Sequence, residues 1–147
     1  MIERILLAVD DSPDSLAATR LALLLASELH ANVRAVHALA DHELDAALEA
    51  ATGRPLGGRR EQSVTRLLAR VSTLAQAEGV EVDTMVLAGG IGSAILDAAR
   101  AWSADLIVIG KSARLATGEP YVGALTRHVL EFADQPVLVV PSARHRR

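Results

Sequence analysis

The chain has 147 residues, no cysteine and a formal net charge of −3 at pH 7. It therefore has no disulfides, thiolate metal sites or cysteine nucleophiles, and it lacks the broad basic field by which proteins hold nucleic acid through counterion release. Half of the residues are hydrophobic, yet the apolar runs fall far short of the roughly 18–20 residues that cross a bilayer. The start Met1-Ile2-Glu3-Arg4 carries an acidic residue and no cleavage-type segment, so a soluble, cytoplasmic protein with no membrane or nucleic-acid partner is expected. This length suits one domain over residues 1–147. Trp102, Tyr121 and Phe132 are its only aromatic residues, too scattered for a base-stacking platform.

In chain order, Ile5 to Val9 form a short apolar run that ends in Asp10-Asp11-Ser12-Pro13. Ser12 suits a helix N-cap and Pro13 the first helical position. From Leu16 to Leu29 apolar residues recur at intervals of three and four, with Ala22 among them, as on a helix packed against a sheet. His30-Ala31-Asn32 ends it, and Val33 to Leu39 read as a second strand. Asp41 to Ala51 read as a short exposed helix, and Thr52 to Arg60, with three glycines and a proline, as the most flexible loop. Val64, Leu67, Leu68, Val71, Leu74 and Ala75 then repeat at helical spacing up to Gly79, a favoured left-handed terminus.

Val82 to Ala88 predict a third strand. The turn Gly89-Gly90-Ile91-Gly92-Ser93 leads into a helix whose inner face would carry Ile95, Ala98, Ala99 and Trp102. Asp105 opens a fourth strand whose continuous apolar run, Leu106 to Ile109, suits a sheet covered on both faces. Gly110 breaks that run, Gly123 opens the next helix, and Val137 to Val140 between two prolines form the fifth strand. The basic tail, residues 142–147, reads as a solvated, frayed end.

Strands alternating with helices predict an α/β fold: one doubly wound, five-stranded parallel sheet of order 3-2-1-4-5 with helices on both faces. Such sheets bind ligands beyond the carboxyl ends of the strands where the order reverses, between strands one and four. Asp10 and Gly110 would meet there, beside the uncapped amides of the helix that Gly123 opens, where an anion is favoured.

Several chemistries can be set aside on spacing. Gly89-Gly90-Ile91-Gly92 is not in the first strand-to-helix turn, where a dinucleotide fingerprint belongs, and reads as a tight turn. The five histidines lack ligand-like spacing, so no intrinsic metal is expected, and His37 reads as a hydrogen-bonded core or crevice residue. No serine sits in a nucleophile elbow. ILLAVDDSP is similar to the start of receiver domains, but those need an aspartate ending the third strand and a lysine after the fifth; here Leu87-Ala88-Gly89 and Pro141-Ser142 stand instead.

Taken together, ILLAVDDS, VRAVHAL, the Gly89 turn followed by AILDAA, ADLIVIG and PVLVVP resemble the universal stress protein family over nearly the whole chain. The resemblance implies this fold, adenine nucleotide-binding α-hydrolase-like, a homodimer made through Val137–Val140, and a stress-response role as a binding or regulatory module. It also implies an adenine-nucleotide site for ATP, AMP or cyclic AMP, in which Asp10 would contact ribose or base and Val9 and Ala38 would line adenine. Gly110 and Gly123 match the outer glycines of the family's ATP loop. Ala113 replaces the middle glycine and Ala124 the hydroxyl residue, while Thr126 keeps a hydroxyl two residues on.

A hydrogen bond to a charged group contributes about 1.5–3 kcal/mol, and Ala113 adds roughly 1 kcal/mol if it takes a positive φ or must let a phosphate approach its backbone closely, and little at a negative φ. The departures would thus weaken nucleotide binding about ten- to a thousandfold, with Arg114 and Arg127 as compensating phosphate contacts. The alternatives are a slow magnesium-dependent ATP hydrolase using Asp10, for which no general base is evident, and a dimerisation scaffold that binds no nucleotide.

Overall fold

A computed structural model describes residues 1–38, 51, 53, 57–114 and 120–142, with the backbone alone at 57–60, 91, 112–114, 120 and 121. The elements run β1 (Arg4–Ala8), α1 (Pro13–Leu29), β2 (Asn32–Ala38), α2 (Gly57–Ala77), β3 (Val82–Leu87), α3 (Ile91–Ala101), β4 (Leu106–Gly110), β5 (Ser112–Arg114), β6 (Pro120–Val122), α4 (Ala124–Phe132) and β7 (Val137–Val140).

The main sheet has five strands in the order β3-β2-β1-β4-β7, and every neighbouring pair is parallel. This is the expected 3-2-1-4-5 order. The central strands β1 and β4 are buried beyond Arg4 because their side chains alternate between two apolar layers, whereas the edge strand β3 is largely exposed. Ile5, Leu7 and Val9 pack with α1 and α2, while Leu6 and Ala8 point the other way, toward α3 and α4. All five residues of β4 are buried, as its unbroken apolar run requires.

Helix α1 seats on the sheet through small residues. Ala18, Thr19, Ala22, Leu23 and Ala26 are buried, while Leu24 and Leu29, on the periodic stripe, are exposed. The alanines let the helix axis approach closely, and this leaves the flanking leucines at the rim. Ser12 caps the helix by accepting from the Ser15 N–H at 3.1 Å, with Pro13 directly behind it. The C-terminus closes on His30 in the left-handed region at φ 55°.

Several boundaries differ from expectation. The second strand starts at Asn32 and the third stops at Leu87. The helix expected at 41–51 lies, apart from Ala51, outside the described residues, as do residues 52 and 54–56 of the loop expected at 52–60. Its last residues, 57–60, belong to the first turn of α2. Glycines are tolerated there because the first amides of a helix have no intrahelical partner, and the apolar repeat beginning at Val64 supplies the packing. Trp102 stands just past α3 as its C-terminal cap, with the Arg34 guanidinium 4.7 Å from the centre of its ring. An antiparallel hairpin, β5 paired with β6, occupies the stretch between Gly110 and Gly123 that was expected to be a plain loop.

Among the described residues no helix is long and apolar enough to cross a membrane.

Candidate functional site

The crevice lies at the carboxyl end of the sheet, where β1 and β4 run side by side and their helices leave on opposite faces. β1 ends with the Val9 N–H donating to the Val36 carbonyl at 2.9 Å. The chain then turns sharply. The Asp10 N–H donates to Ser15 Oγ at 2.9 Å, and Asp10 Oδ1 accepts from the Ser12 N–H at 2.8 Å. The carboxylate is thus held by an aspartate turn that leads into the cap of α1. His37 secures the same corner from β2, its Nδ1 lying 2.7 Å from the Val9 carbonyl. A carbonyl only accepts, so Nδ1 carries the proton.

From the β4 side, Gly110 closes the crevice floor. A Cβ at this position would stand 2.8 Å from the Asp14 carbonyl carbon and 2.9 Å from the Ser15 amide nitrogen. The glycine is therefore required by the approach of α1, whatever else the loop does. Lys111 donates its N–H to the Val140 carbonyl and accepts from the Gly123 N–H at 3.1 Å, which closes the base of the hairpin. Thr126, fully buried, donates its hydroxyl to the Gly110 carbonyl at 2.8 Å. The two outer glycines of the loop are thereby drawn together.

These elements enclose a cavity of about 200 Å³ whose lining includes Val9, Asp10, Ala38 and Gly110. Its remaining wall is mainly apolar, from Val36, Ile95, Ile109 and Leu125. Ser15 and His37 also line it; His37 is the hydrogen-bonded crevice residue expected, though not as a ligand contact, and Ser15 did not stand among the expected site residues. Ser15 follows from the serine three places beyond the helix cap, whereas the His37 bond joins residues too far apart in sequence for any local pattern to show it.

The other expected residues are less well placed. Gly123 is the N-cap of α4, with ordinary φ of −64° and no side chain capping the helix. Ala124 is exposed at its first turn. Ala113 and Arg114 lie in β5, opposite Tyr121 and Pro120. The only non-glycine residues with positive φ among those described are His30 and Ser103, so the cost of a positive φ at Ala113 does not arise. Thr126 requires a correction: its hydroxyl is spent on Gly110, which makes it a tie within the loop and not a substitute for the hydroxyl missing at Ala124. Arg127 is exposed one turn into α4.

Among the described residues no group of three histidine, aspartate or glutamate side chains could hold a metal ion. The crevice offers an apolar slot, one fixed carboxylate and the uncapped amides of α4. That combination suits a small planar group with an anionic extension.

The curated universal stress protein MJ0531 of Methanocaldococcus jannaschii is 27% identical over 95% of this chain and 82% of its own length. Among solved structures, a universal stress protein from Archaeoglobus fulgidus aligns at 26% identity with a TM-score of 0.70, covering 95% of this chain and 98% of that one. A universal stress protein in complex with cAMP aligns at 19% identity and a TM-score of 0.71, covering 97% and 98% of the two chains. A universal stress protein from A. fulgidus in complex with dAMP aligns at 22% and 0.67, covering 95% and 98%. The family model described as the universal stress protein family matches residues 1–141. With the strand order, the crevice between β1 and β4 and this match over nearly its whole length, the chain belongs to the universal stress protein family.

Proposed function

We propose that this protein is a cytoplasmic stress-response module that works as a homodimer and binds an adenine nucleotide weakly in the β1/β4 crevice. The observation that carries the reading is the cavity itself. Its apolar slot of about 200 Å³ ends at Asp10 on one side and faces the start of α4 on the other. The slot suits the base, the Asp10 carboxylate suits ribose hydroxyls, and the α4 amides suit a phosphate. Relatives in complex with cAMP and dAMP support an adenine nucleotide as the ligand class. The missing hydroxyl at Ala124 and the spent hydroxyl of Thr126 favour a mononucleotide over ATP, because the charged end is the poorly served one.

Those same two positions favour a second reading, a scaffold that binds no nucleotide. Thermal unfolding with AMP, cyclic AMP or ATP and magnesium separates the two. A ligand at a hundred times its dissociation constant stabilises by about 2.7 kcal/mol, roughly 5–10 °C at this size. A shift with AMP or cyclic AMP at millimolar concentration is expected, and no shift with any nucleotide supports the scaffold. Ala124→Ser should tighten ATP binding by about tenfold or more, since it restores a hydrogen bond to a charged group. Ala113→Gly should change little, because no positive φ is relieved there.

A further inference from the structure

A second groove, of about 530 Å³, lies across the Asp10–Ser15 turn from the nucleotide crevice, between the start of α1 and the stretch of α2 from Ser63 to Leu74. Its floor is aliphatic. Leu16 of α1 and Leu67 and Leu74 of α2 are each only partly buried, around the buried Val71. No aromatic residue stands among its described lining, so it offers nothing on which a base would stack.

The two walls carry opposite charge. On the α1 side stand Asp10 and Asp11, and on the α2 side Arg66 and Arg70. The arginines are four residues apart and so share a helix face, with Cβ atoms about 5–6 Å apart. Both are exposed, and among the described residues neither takes part in an ion pair. Two such guanidinium groups suit the paired oxygens of a carboxylate. The opposing aspartates repel an anion from their own wall, so the charge pattern fixes which way an anionic amphiphile would lie.

We propose that this groove binds an aliphatic carboxylate, its head on Arg66 and Arg70 and its chain along Leu16, Leu67 and Leu74. The groove shares Asp10 and Ser15 with the nucleotide crevice, but the head and chain contacts use neither, so the proposal stands or falls without the nucleotide reading.

An amide NMR titration of the full chain tests the proposal, using decanoate below its micellar concentration as probe, with decanol and decyltrimethylammonium as controls. Saturable shifts at Leu16, Leu67, Val71 and Leu74 are expected with decanoate, and about tenfold weaker binding of decanol, which keeps the chain and loses the charge. An Arg66→Gln, Arg70→Gln double variant should bind decanoate about tenfold more weakly and decanol unchanged. Both arginines are exposed, so the variant should fold as the parent does. The proposal is overturned if millimolar decanoate gives no saturable shift at those residues, or if decanol or the cationic amphiphile binds as well as decanoate. Unchanged decanoate affinity in the variant would overturn it too. So would shifts at the same amides that follow protein concentration without any probe, which would make the groove a contact between two copies of the chain.

Discussion

Gly110 and Thr126 show how one residue pair holds the crevice together. The glycine lets the backbone of Asp14 and Ser15 pack so close to the β4 terminus that a side chain there would clash, and the threonine hydroxyl ties that terminus to α4. Gly110→Ala would place a methyl against backbone that cannot rotate away, a form of overpacking that costs about 1–3 kcal/mol. A fall in Tm of about 3–10 °C by calorimetry is expected. A Tm within experimental error of the parent would show that α1 can yield. Thr126→Val keeps the volume and loses the bond, which predicts about 1 kcal/mol of destabilisation, or roughly 2–4 °C. Gly110 was legible in the sequence as the residue that breaks an apolar run. Its cause was not, since the neighbour it accommodates lies on a helix about a hundred residues earlier. The same holds for Thr126, expected from the family resemblance as a ligand contact, whose hydroxyl donates to a carbonyl sixteen residues away.

At the scale of elements, strands were legible wherever burial on both faces demanded a continuous apolar run, as in Leu106–Ile109 and Val137–Val140. The hairpin was not. Ser112–Arg114 and Pro120–Val122 are three-residue strands, too short to show alternation, and their pairing depends on the bond from Gly123 to Lys111 at their base. A comparable long-range tie joins the opposite end of the two central strands. Asp105 Oδ2 accepts from the N–H groups of Glu3 at 2.8 Å and Arg4 at 2.9 Å, clasping the start of β1 to the start of β4. These bonds favour the ionised carboxylate and hold its pKa below the ordinary value. A carboxylate depressed in the folded state contributes stability that is complete above its unfolded pKa, near about 3.9, and is lost as pH falls through the folded value. Asp105→Asn should therefore be less stable than the parent at neutral pH, and the gap should close below about pH 4. Urea unfolding midpoints measured from neutral to acid pH check this. A gap that is constant with pH would mean that the clasp acts by shape and not by charge.

For the whole molecule, assembly turns on β7, which ends the sheet beside β4 and has no further neighbour among the described strands. An apolar strand left open at an edge invites pairing, and a symmetric dimer is the arrangement that closes it. The ladder shows which of its groups are available. Ile107 donates to the Pro136 carbonyl and Lys111 to the Val140 carbonyl, so the even-numbered residues of this segment turn their backbone toward β4. Val137 and Val139 turn theirs to the open side. Val139→Pro removes one outward N–H while sparing every bond to β4, a position where an edge strand tolerates proline. If β7 pairs with its copy, the parent should have twice the chain mass by light scattering at micromolar concentration. Val139→Pro should then shift to the monomer mass with little loss in Tm beyond that due to dissociation. Leu138→Pro is the matching control, because it breaks the β4 ladder and should lower stability outright, by about 3 kcal/mol or more. A parent that runs as a monomer, or a Val139→Pro variant that remains a dimer, would place any assembly on another surface.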